Sequence, residues 1–160
     1  MNHFVGVYGA PEPGAALTAL GATPVYHDHR VALGGAPVWE APEGDLVVAG
    51  EVVLDDPAGL RAELGVETRE HLPLMAALYR AEGVPGLHRA AGKVAAALYA
   101  PRDGALHLVR DGVGHRTLYH THGSPQTWFA ARLATLRGAP GVSGSVSLTA
   151  LRNYLTYSFV

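Results

Sequence analysis

Residues 94–111, VAAALYAPRDGALHLVRD, decide the fold of this chain. Two apolar runs, 94–100 and 105–109, flank Asp103-Gly104, and an Asp-Gly pair readily adopts the positive φ angles that a tight hairpin turn needs. Valine, leucine and tyrosine within the runs are typical of half-buried or buried strands. The stretch therefore predicts an antiparallel β-hairpin at the centre of a sheet.

Short apolar segments on both sides of this hairpin predict further strands. The segment 46–49 is a continuous apolar run, as expected for a strand buried on both faces. Gly50 and Glu51 are expected to interrupt it, because a glycine inside a strand pattern marks a bulge or the close approach of another group. The other predicted strands are 3–10, 30–33 and 36–40 before the hairpin, and 117–120 and 127–131, which we expect to extend its sheet.

Helical signals lie between and after these strands. Asp56 is placed as an N-cap with Pro57 at the first helical position, which predicts a helix that ends at Gly65. Apolar residues recur at helical spacing over 72–82, and 84–90 resembles a further turn. Shorter helices are predicted at 15–20 and 132–137, and a final helix places Leu148, Leu151, Tyr154 and Leu155 on one face.

Composition limits the class of protein. With 160 residues, 48% of them hydrophobic, the chain can bury one sizeable core and is expected to form one globular domain. The formal charge of −2, with 16% charged residues, provides no basic surface for nucleic acid. Nucleic acid is therefore not an expected partner.

The absence of cysteine limits the chemistry. It excludes a disulfide framework, a thiolate metal site and a cysteine nucleophile. No apolar run approaches the roughly 18 residues that predict a membrane span, and no leader pattern precedes a cleavage site. We therefore expect a cytoplasmic protein without membrane partners.

Histidine clusters raise a metal hypothesis. His27-Asp28-His29 and His120-Thr121-His122 contain ligand types that bind transition metals. No third and fourth ligands stand at a recognised spacing, so no metal site is predicted. Arg110-Asp111 fits a catalytic pair, but after a hairpin strand an ion pair or a turn cap is favoured. Two roles stay open for Glu51: its side chain is either a general base or a carboxylate that orders the turn.

Four phrases of the chain occur in a recognisable order. They are the opening strand at 3–10, AGEVVLDDPAGLRAEL at 49–64, the block 75–120, and LRNYLTYSFV at 151–160. Within the block, Arg110-Asp111, Gly114 and Leu118-Tyr119 match residue by residue, and Phe129-Ala130 follows. Together these phrases resemble the N-terminal glutaminase domain of asparagine synthetases. That domain is a class II glutamine amidotransferase of the N-terminal-nucleophile hydrolase family.

The resemblance implies a fold and a site. The fold is an α+β, four-layer αββα sandwich of two antiparallel sheets. The family's nucleophile is a cysteine at position 2, exposed by removal of Met1, but Asn2 stands here. Asparagine carries no usable nucleophile, and its size should hinder removal of Met1. The family's oxyanion hole combines an asparagine side chain with the next glycine, where this chain has Ala49-Gly50.

The resemblance also places the groups that grip glutamine. His71 falls where an aspartate holds the substrate ammonium group, and Arg30 is matched to the carboxylate-binding arginine. Glu51 follows the oxyanion-hole pair. The chain therefore has no predicted catalytic residue, and its vestigial glutaminase-pocket positions are Asn2, Arg30, Ala49, Gly50, Glu51 and His71.

The resulting hypothesis is a silent glutaminase-like domain, at 1–147, followed by a hinge helix at 148–160. It would serve an asparagine-synthetase-type ATP-binding domain, in the same or a separate chain, which alone would bind ATP and Mg. Two alternatives stay open: an amidohydrolase with a substituted nucleophile, such as His3, a serine or a threonine, and a small-molecule or peptide-binding module that uses the emptied pocket. A homodimer also stays open.

Overall fold

The structure, a computed structural model, describes residues 3–121 and 125–158. Its strands are β1 (Val5–Tyr8), β2 (Pro24–His27), β3 (Val31–Gly34), β4 (Val38–Glu40), β5 (Val47–Leu54), β6 (Gly92–Ala100), β7 (Ala105–Arg110), β8 (Tyr119–His120) and β9 (Thr127–Ala130). Its helices are α1 (Pro13–Ala19), α2 (Pro57–Leu64), α3 (His71–Glu82), α4 (Val84–Leu87), α5 (Leu133–Leu136) and α6 (Leu148–Tyr157).

The strands form two antiparallel sheets that pack face to face. The first has the order β2-β3-β1-β9-β8 and the second β4-β5-β6-β7. Helices α1 and α5 contribute to the core on the outer face of the first sheet, and α3 packs on the outer face of the second. The predicted αββα sandwich is confirmed, because each sheet buries one face on the other and one face on helices.

The β6–β7 hairpin is confirmed, and so is the predicted N-cap of α2. Ala100 pairs with Ala105 across the turn, and the register continues to Ala95 and Arg110. The Asp56 carboxylate accepts the N–H of Gly59 at 2.8 Å, with Pro57 in the first turn. Local chemistry fixed both features, so the sequence was sufficient to predict them.

Three strand predictions need correction. Strands β8 and β9 do not extend the hairpin sheet, because β9 pairs with β1 in the first sheet. That position buries Trp128 on the outer face and Phe129 on the inner face. Strand β2 was missed because it begins at Pro24 and lies at a sheet edge, where its pattern is weak.

Gly50 and Glu51 do not interrupt β5. The strand pairs with β6 without a break from Val47 to Leu54. The predicted close approach at Gly50 is confirmed, since a Cβ there would lie 2.3 Å from the Ala95 carbonyl oxygen, and φ is 142°. The neighbouring backbone, rather than a ligand, explains this glycine.

The layer between the sheets is built from aromatic rings and small side chains. Phe4 and Phe129 come from the first sheet, with ring centroids 5.7 Å apart, and Ala49, Ala97 and Tyr99 come from the second. None of the five has more than a trace of exposed surface. None of the helices in residues 3–121 and 125–158 has the length and apolar character that a membrane crossing requires.

Gly6→Ala should destabilise the protein by about 1–3 kcal/mol, the usual cost of overpacking a core. The added Cβ would lie 2.3 Å from the ring of Phe129, which is itself fully buried. The matched control is Gly112→Ala, where no atom lies within 4 Å of the new Cβ and an effect below about 0.5 kcal/mol is expected. Equal urea midpoints for the two variants would contradict this account of the inter-sheet layer.

Candidate functional site

A polar cavity opens beside the start of β1, and we call it the His3 cavity. Its volume is about 280 Å³. Both sheets and the loop after β7 contribute to its wall. The lining residues are His3, Glu51, Ala95, His115, Arg116, Thr117, Ala131 and Arg132.

Strand register explains why these residues meet. Val5 pairs with Ala130 on β9, and the Ala131 N–H continues the ladder by donating to the Phe4 carbonyl at 2.9 Å. One step further along, His3 and Arg132 face each other. On the second sheet, Glu51 pairs with Ala95. Because side chains alternate along a strand, Glu51 and Ala49 share the inner face of β5.

Side-chain contacts hold the cavity wall in place. The Arg132 Nη1 group donates to His3 Nε2 at 2.9 Å. Arg116 Nη1 lies 3.2 Å from Glu51 Oε2. The Thr117 hydroxyl donates to the Ala131 carbonyl at 2.6 Å. The cavity is therefore lined by two guanidinium groups, one carboxylate and the imidazoles of His3 and His115.

The Asp111 carboxylate organises the loop that carries Arg116. It accepts the backbone N–H groups of His115 at 2.7 Å and Arg116 at 3.0 Å. A third donor, the N–H of Val94, lies 3.3 Å away on β6. The Arg110 Nε group donates to the Arg116 carbonyl at 3.2 Å, so Arg110 and Asp111 each hold this loop. Of the two structural roles considered for Asp111, the structure supports a turn cap.

This environment sets the ionisation of Asp111. Burial alone would raise the pKa of the carboxyl group, but the backbone N–H groups of Arg116 and His115 outweigh burial. The result is a pKa well below the usual range, so the folded state keeps the carboxylate charged.

Ala49 and Gly50 offer no free hydrogen-bond donor. The Ala49 side chain is completely buried between the sheets and carries no polar atom. The Gly50 N–H donates to the Pro37 carbonyl at 3.1 Å. Neither group of the expected oxyanion-hole pair is therefore available to a developing negative charge.

Arg30 and His71 lie away from the His3 cavity. The Arg30 carbonyl accepts from the N–H of Gly9, and its guanidinium contacts Gly104, at the end of β1 opposite His3. His71 is the first residue of α3, where its Nδ1 accepts the Leu54 N–H at 3.2 Å. Neither side chain lines the cavity.

Asn2 lies outside the described residues, so its assignment stays a prediction. Among the predicted positions that the structure describes, only Glu51 lines the cavity together with His3. Ala49 and Gly50 lie next to Glu51 on β5.

The side chains of the metal hypothesis have other contacts. Asp28 accepts the N–H groups of Arg30 and Val31, and the Tyr99 hydroxyl donates to its second oxygen at 2.8 Å. His122 belongs to the segment that the structure does not describe. Within the described ranges, no three histidine, aspartate or glutamate side chains are grouped closely enough to hold a metal ion.

A cavity of about 680 Å³, larger than the His3 cavity, lies between α4 and β7. None of the predicted site positions lines it. It shares Arg110, Asp111 and His115 with the site described above. Cavity volume alone would therefore not identify the site residues that the sequence predicts.

Arg116 and Arg132 were not predicted as site residues. The resemblance to the glutaminase domain covers Phe129-Ala130 and is interrupted before Arg132. That loss of similarity was the one sequence feature that could have drawn attention to Arg132. No sequence pattern pointed to Arg116, because its position depends on the Asp111 cap and on its ion pair with Glu51 of β5.

The two stacked antiparallel sheets between helices, with a polar cavity at the start of the first strand, define a layered αββα domain. A family model described as a glutamine amidotransferase domain matches residues 56–160, which is more than half of the chain. The chain therefore belongs to the glutamine amidotransferase domain family. A search of curated proteins found no match. The matched segment includes His71, Arg116 and Arg132, whereas Ala49, Gly50 and Glu51 precede it.

Asp111→Asn should destabilise the protein near neutral pH and flatten its acid dependence. A lowered folded-state pKa gives stability that is present above the unfolded value of about 3.9 and lost as the pH falls towards the folded value. The difference in urea midpoint between wild type and Asp111→Asn should therefore shrink between about pH 7 and about pH 3.

Asp103→Asn, in the exposed hairpin turn, is the matched control and should change little at either pH. A gap between wild type and Asp111→Asn that stays constant with pH would contradict the role given to the ionised cap.

Proposed function

We propose that this chain is a catalytically silent, glutaminase-like domain of an asparagine-synthetase-like system that forms amide bonds with ATP. The synthetase partner would be of the asparagine synthetase, β-lactam synthetase or lasso-peptide cyclase type. The observation that carries the proposal is the Ala49–Gly50 pair, which has no donor free for an oxyanion.

The missing donors bear directly on amide hydrolysis. Attack on the glutamine amide creates a tetrahedral oxyanion, and removing one donor from such a hole costs about 3–4 kcal/mol of transition-state stabilisation. Here the Ala49 side chain supplies no donor, and the Gly50 N–H is bonded to Pro37. A hydrolytic reaction at this place would lack both contributions.

The hydroxyl and imidazole in the His3 cavity are also engaged. Thr117 donates its hydroxyl proton to the Ala131 carbonyl, and His3 uses its Nε2 lone pair to accept from Arg132. A nucleophile needs a free base within hydrogen-bond reach, and this pair does not provide one. These contacts argue against the alternative of an amidohydrolase with a substituted nucleophile.

The last helix supports a structural role. Leu148, Leu151 and Leu155 recur at a spacing that places them on one face of α6, and Leu148 and Leu155 are 79% and 75% exposed. The Ser147 side chain caps the helix by accepting the Ala150 N–H at 3.2 Å. We propose that this face of α6 contacts the synthetase partner. In this proposal residues 1–147 form the glutaminase-like part and residues 148–160 form the hinge that joins it to the partner.

In this proposal the chemistry resides in the partner. The synthetase domain would bind ATP and Mg and activate a carboxylate, and an amine of the substrate would attack it. Ammonia from glutamine is not required, so the glutaminase pocket can lose its donors while the packing surface persists. The binding-module alternative keeps its own support in the His3 cavity.

Purified protein should release no ammonia from glutamine above the level of buffer alone. The physical reason is the loss of both donors of the oxyanion hole. The measurement is a coupled ammonia assay, with an active glutaminase as positive control. Ammonia release that disappears in His3→Ala or Thr117→Ala, and persists in the matched exposed variant Thr149→Ala, would overturn the proposal in favour of hydrolysis.

Leu155→Asp and Leu151→Asp should weaken binding to a co-expressed asparagine-synthetase-type domain by about ten-fold or more, since apolar residues central to an interface contribute most of its energy. Thr149→Asp, on the other side of α6, is the matched control and should retain binding. Equal capture of all three variants in a quantitative pull-down would contradict the docking role of this face.

A further inference from the structure

We propose that the His3 cavity binds a small aliphatic monocarboxylate between the guanidinium groups of Arg116 and Arg132. This goes beyond the structural role proposed above, because it gives the cavity a ligand without any hydrolysis. Neither arginine occupies a position matched to the glutamine-binding residues, which were placed at Arg30, Glu51 and His71.

Arg132 has no carboxylate partner among the described residues. Its guanidinium makes one side-chain hydrogen bond there, to the ring of His3. Arginine is charged at all relevant pH values, and its fork of donors matches a planar carboxylate. Arg132 therefore lines the cavity with a positive charge that no carboxylate of the described residues pairs, and its guanidinium has the geometry to bind a carboxylate.

Arg116 supplies a second incomplete donor set. One end of its guanidinium faces Glu51, while its Nε is buried and has no hydrogen-bond partner. A buried donor without a partner costs about 1–3 kcal/mol. Because the Nε atom itself has almost no accessible surface, a ligand would meet the open part of this side chain, which is 43% exposed, beside its contact with Glu51.

Charge selects among anions. Arg116 and Arg132 contribute two positive charges and Glu51 contributes one negative charge, so one monoanion balances these three groups; the imidazoles of His3 and His115 also line the cavity. A phosphate dianion would leave excess negative charge beside the Glu51 carboxylate. A carboxylate is also planar, so it can pair with a guanidinium through two parallel hydrogen bonds.

The walls set the size of the ligand. Ala95 and Ala131 line the cavity with methyl groups, which suit a short aliphatic chain. The volume of about 280 Å³ lies just below the range of about 300–1,000 Å³ that is typical of sites for drug-sized molecules. A carboxylate of a few carbon atoms fits these limits.

Sodium propionate titrated into the full chain should produce saturable shifts of the Arg116 and Arg132 Nε–H signals in ¹H–¹⁵N spectra, near neutral pH and at constant ionic strength. The Arg116 signal should move because the carboxylate lies beside its guanidinium group. Sodium phosphate should bind more weakly, and sodium chloride should produce no saturable change.

Arg132→Gln and Arg116→Gln should each weaken propionate binding by about ten-fold or more, corresponding to about 1.4 kcal/mol. Arg137→Gln, an exposed arginine outside the cavity, is the matched control and should bind as the wild type does. Arg132→Lys keeps the charge without the fork and should show an intermediate loss.

Three results would overturn the inference: no saturable shift with propionate, equal affinity in Arg132→Gln and Arg137→Gln, or tighter binding of phosphate than of propionate. None of these depends on ammonia release or on the synthetase partner. Failure here is therefore distinguishable from failure of the proposed function.

Discussion

The stacking of the two sheets depends on matching large side chains with small ones in the layer between them. Phe4 and Phe129 occupy this layer from one sheet, and Ala49 and Ala97 come from the other. Sheets that pack face to face lie about 10 Å apart, so side chains from the two sheets must interdigitate. Tyr99 meets Tyr8 and Tyr26 with ring centroids 6.4 Å apart, while alanines supply the small side chains of the layer. Ala49 is therefore a packing residue first, and this accounts for the absence of a polar group at that position.

The same layer determines how the His3 cavity forms. Strand alternation carries the inner face of β5 from Ala49, in the apolar interior, to Glu51 at its margin. The β1–β9 register brings His3 and Arg132 to that margin from the other sheet. Asp111 then fixes the loop that places Arg116 against Glu51. Backbone pairing sets two walls, and one buried carboxylate sets the third.

The sequence was sufficient to predict turns and helix caps, which depend on neighbouring residues. It was not sufficient to predict which strands pair when they are distant in the chain. The Asp103-Gly104 turn and the Asp56 cap each act within a few residues, so the hairpin and α2 could be predicted. The sheet to which β9 belongs could not, because residues 127–130 suit either sheet equally and only the whole layer decides. Arg116 and Arg132 were missed for the same reason, since their meeting follows from that assignment. Arg30 was matched to the carboxylate-binding arginine, but it lies at the end of β1 opposite His3. No sequence motif next to Arg30 fixes its position relative to the site.

The pairing of β1 with β9 joins opposite ends of the described chain, whereas β5, β6 and β7 follow one another with only helices and a tight turn between them. Contacts between residues distant in sequence form slowly, because the connecting chain must first give up its freedom. During synthesis the second sheet can assemble on its own, while β1 must wait for residue 130 to emerge. Until then β1 can pair with β3 alone, and its other edge stays open to pairing with a second molecule.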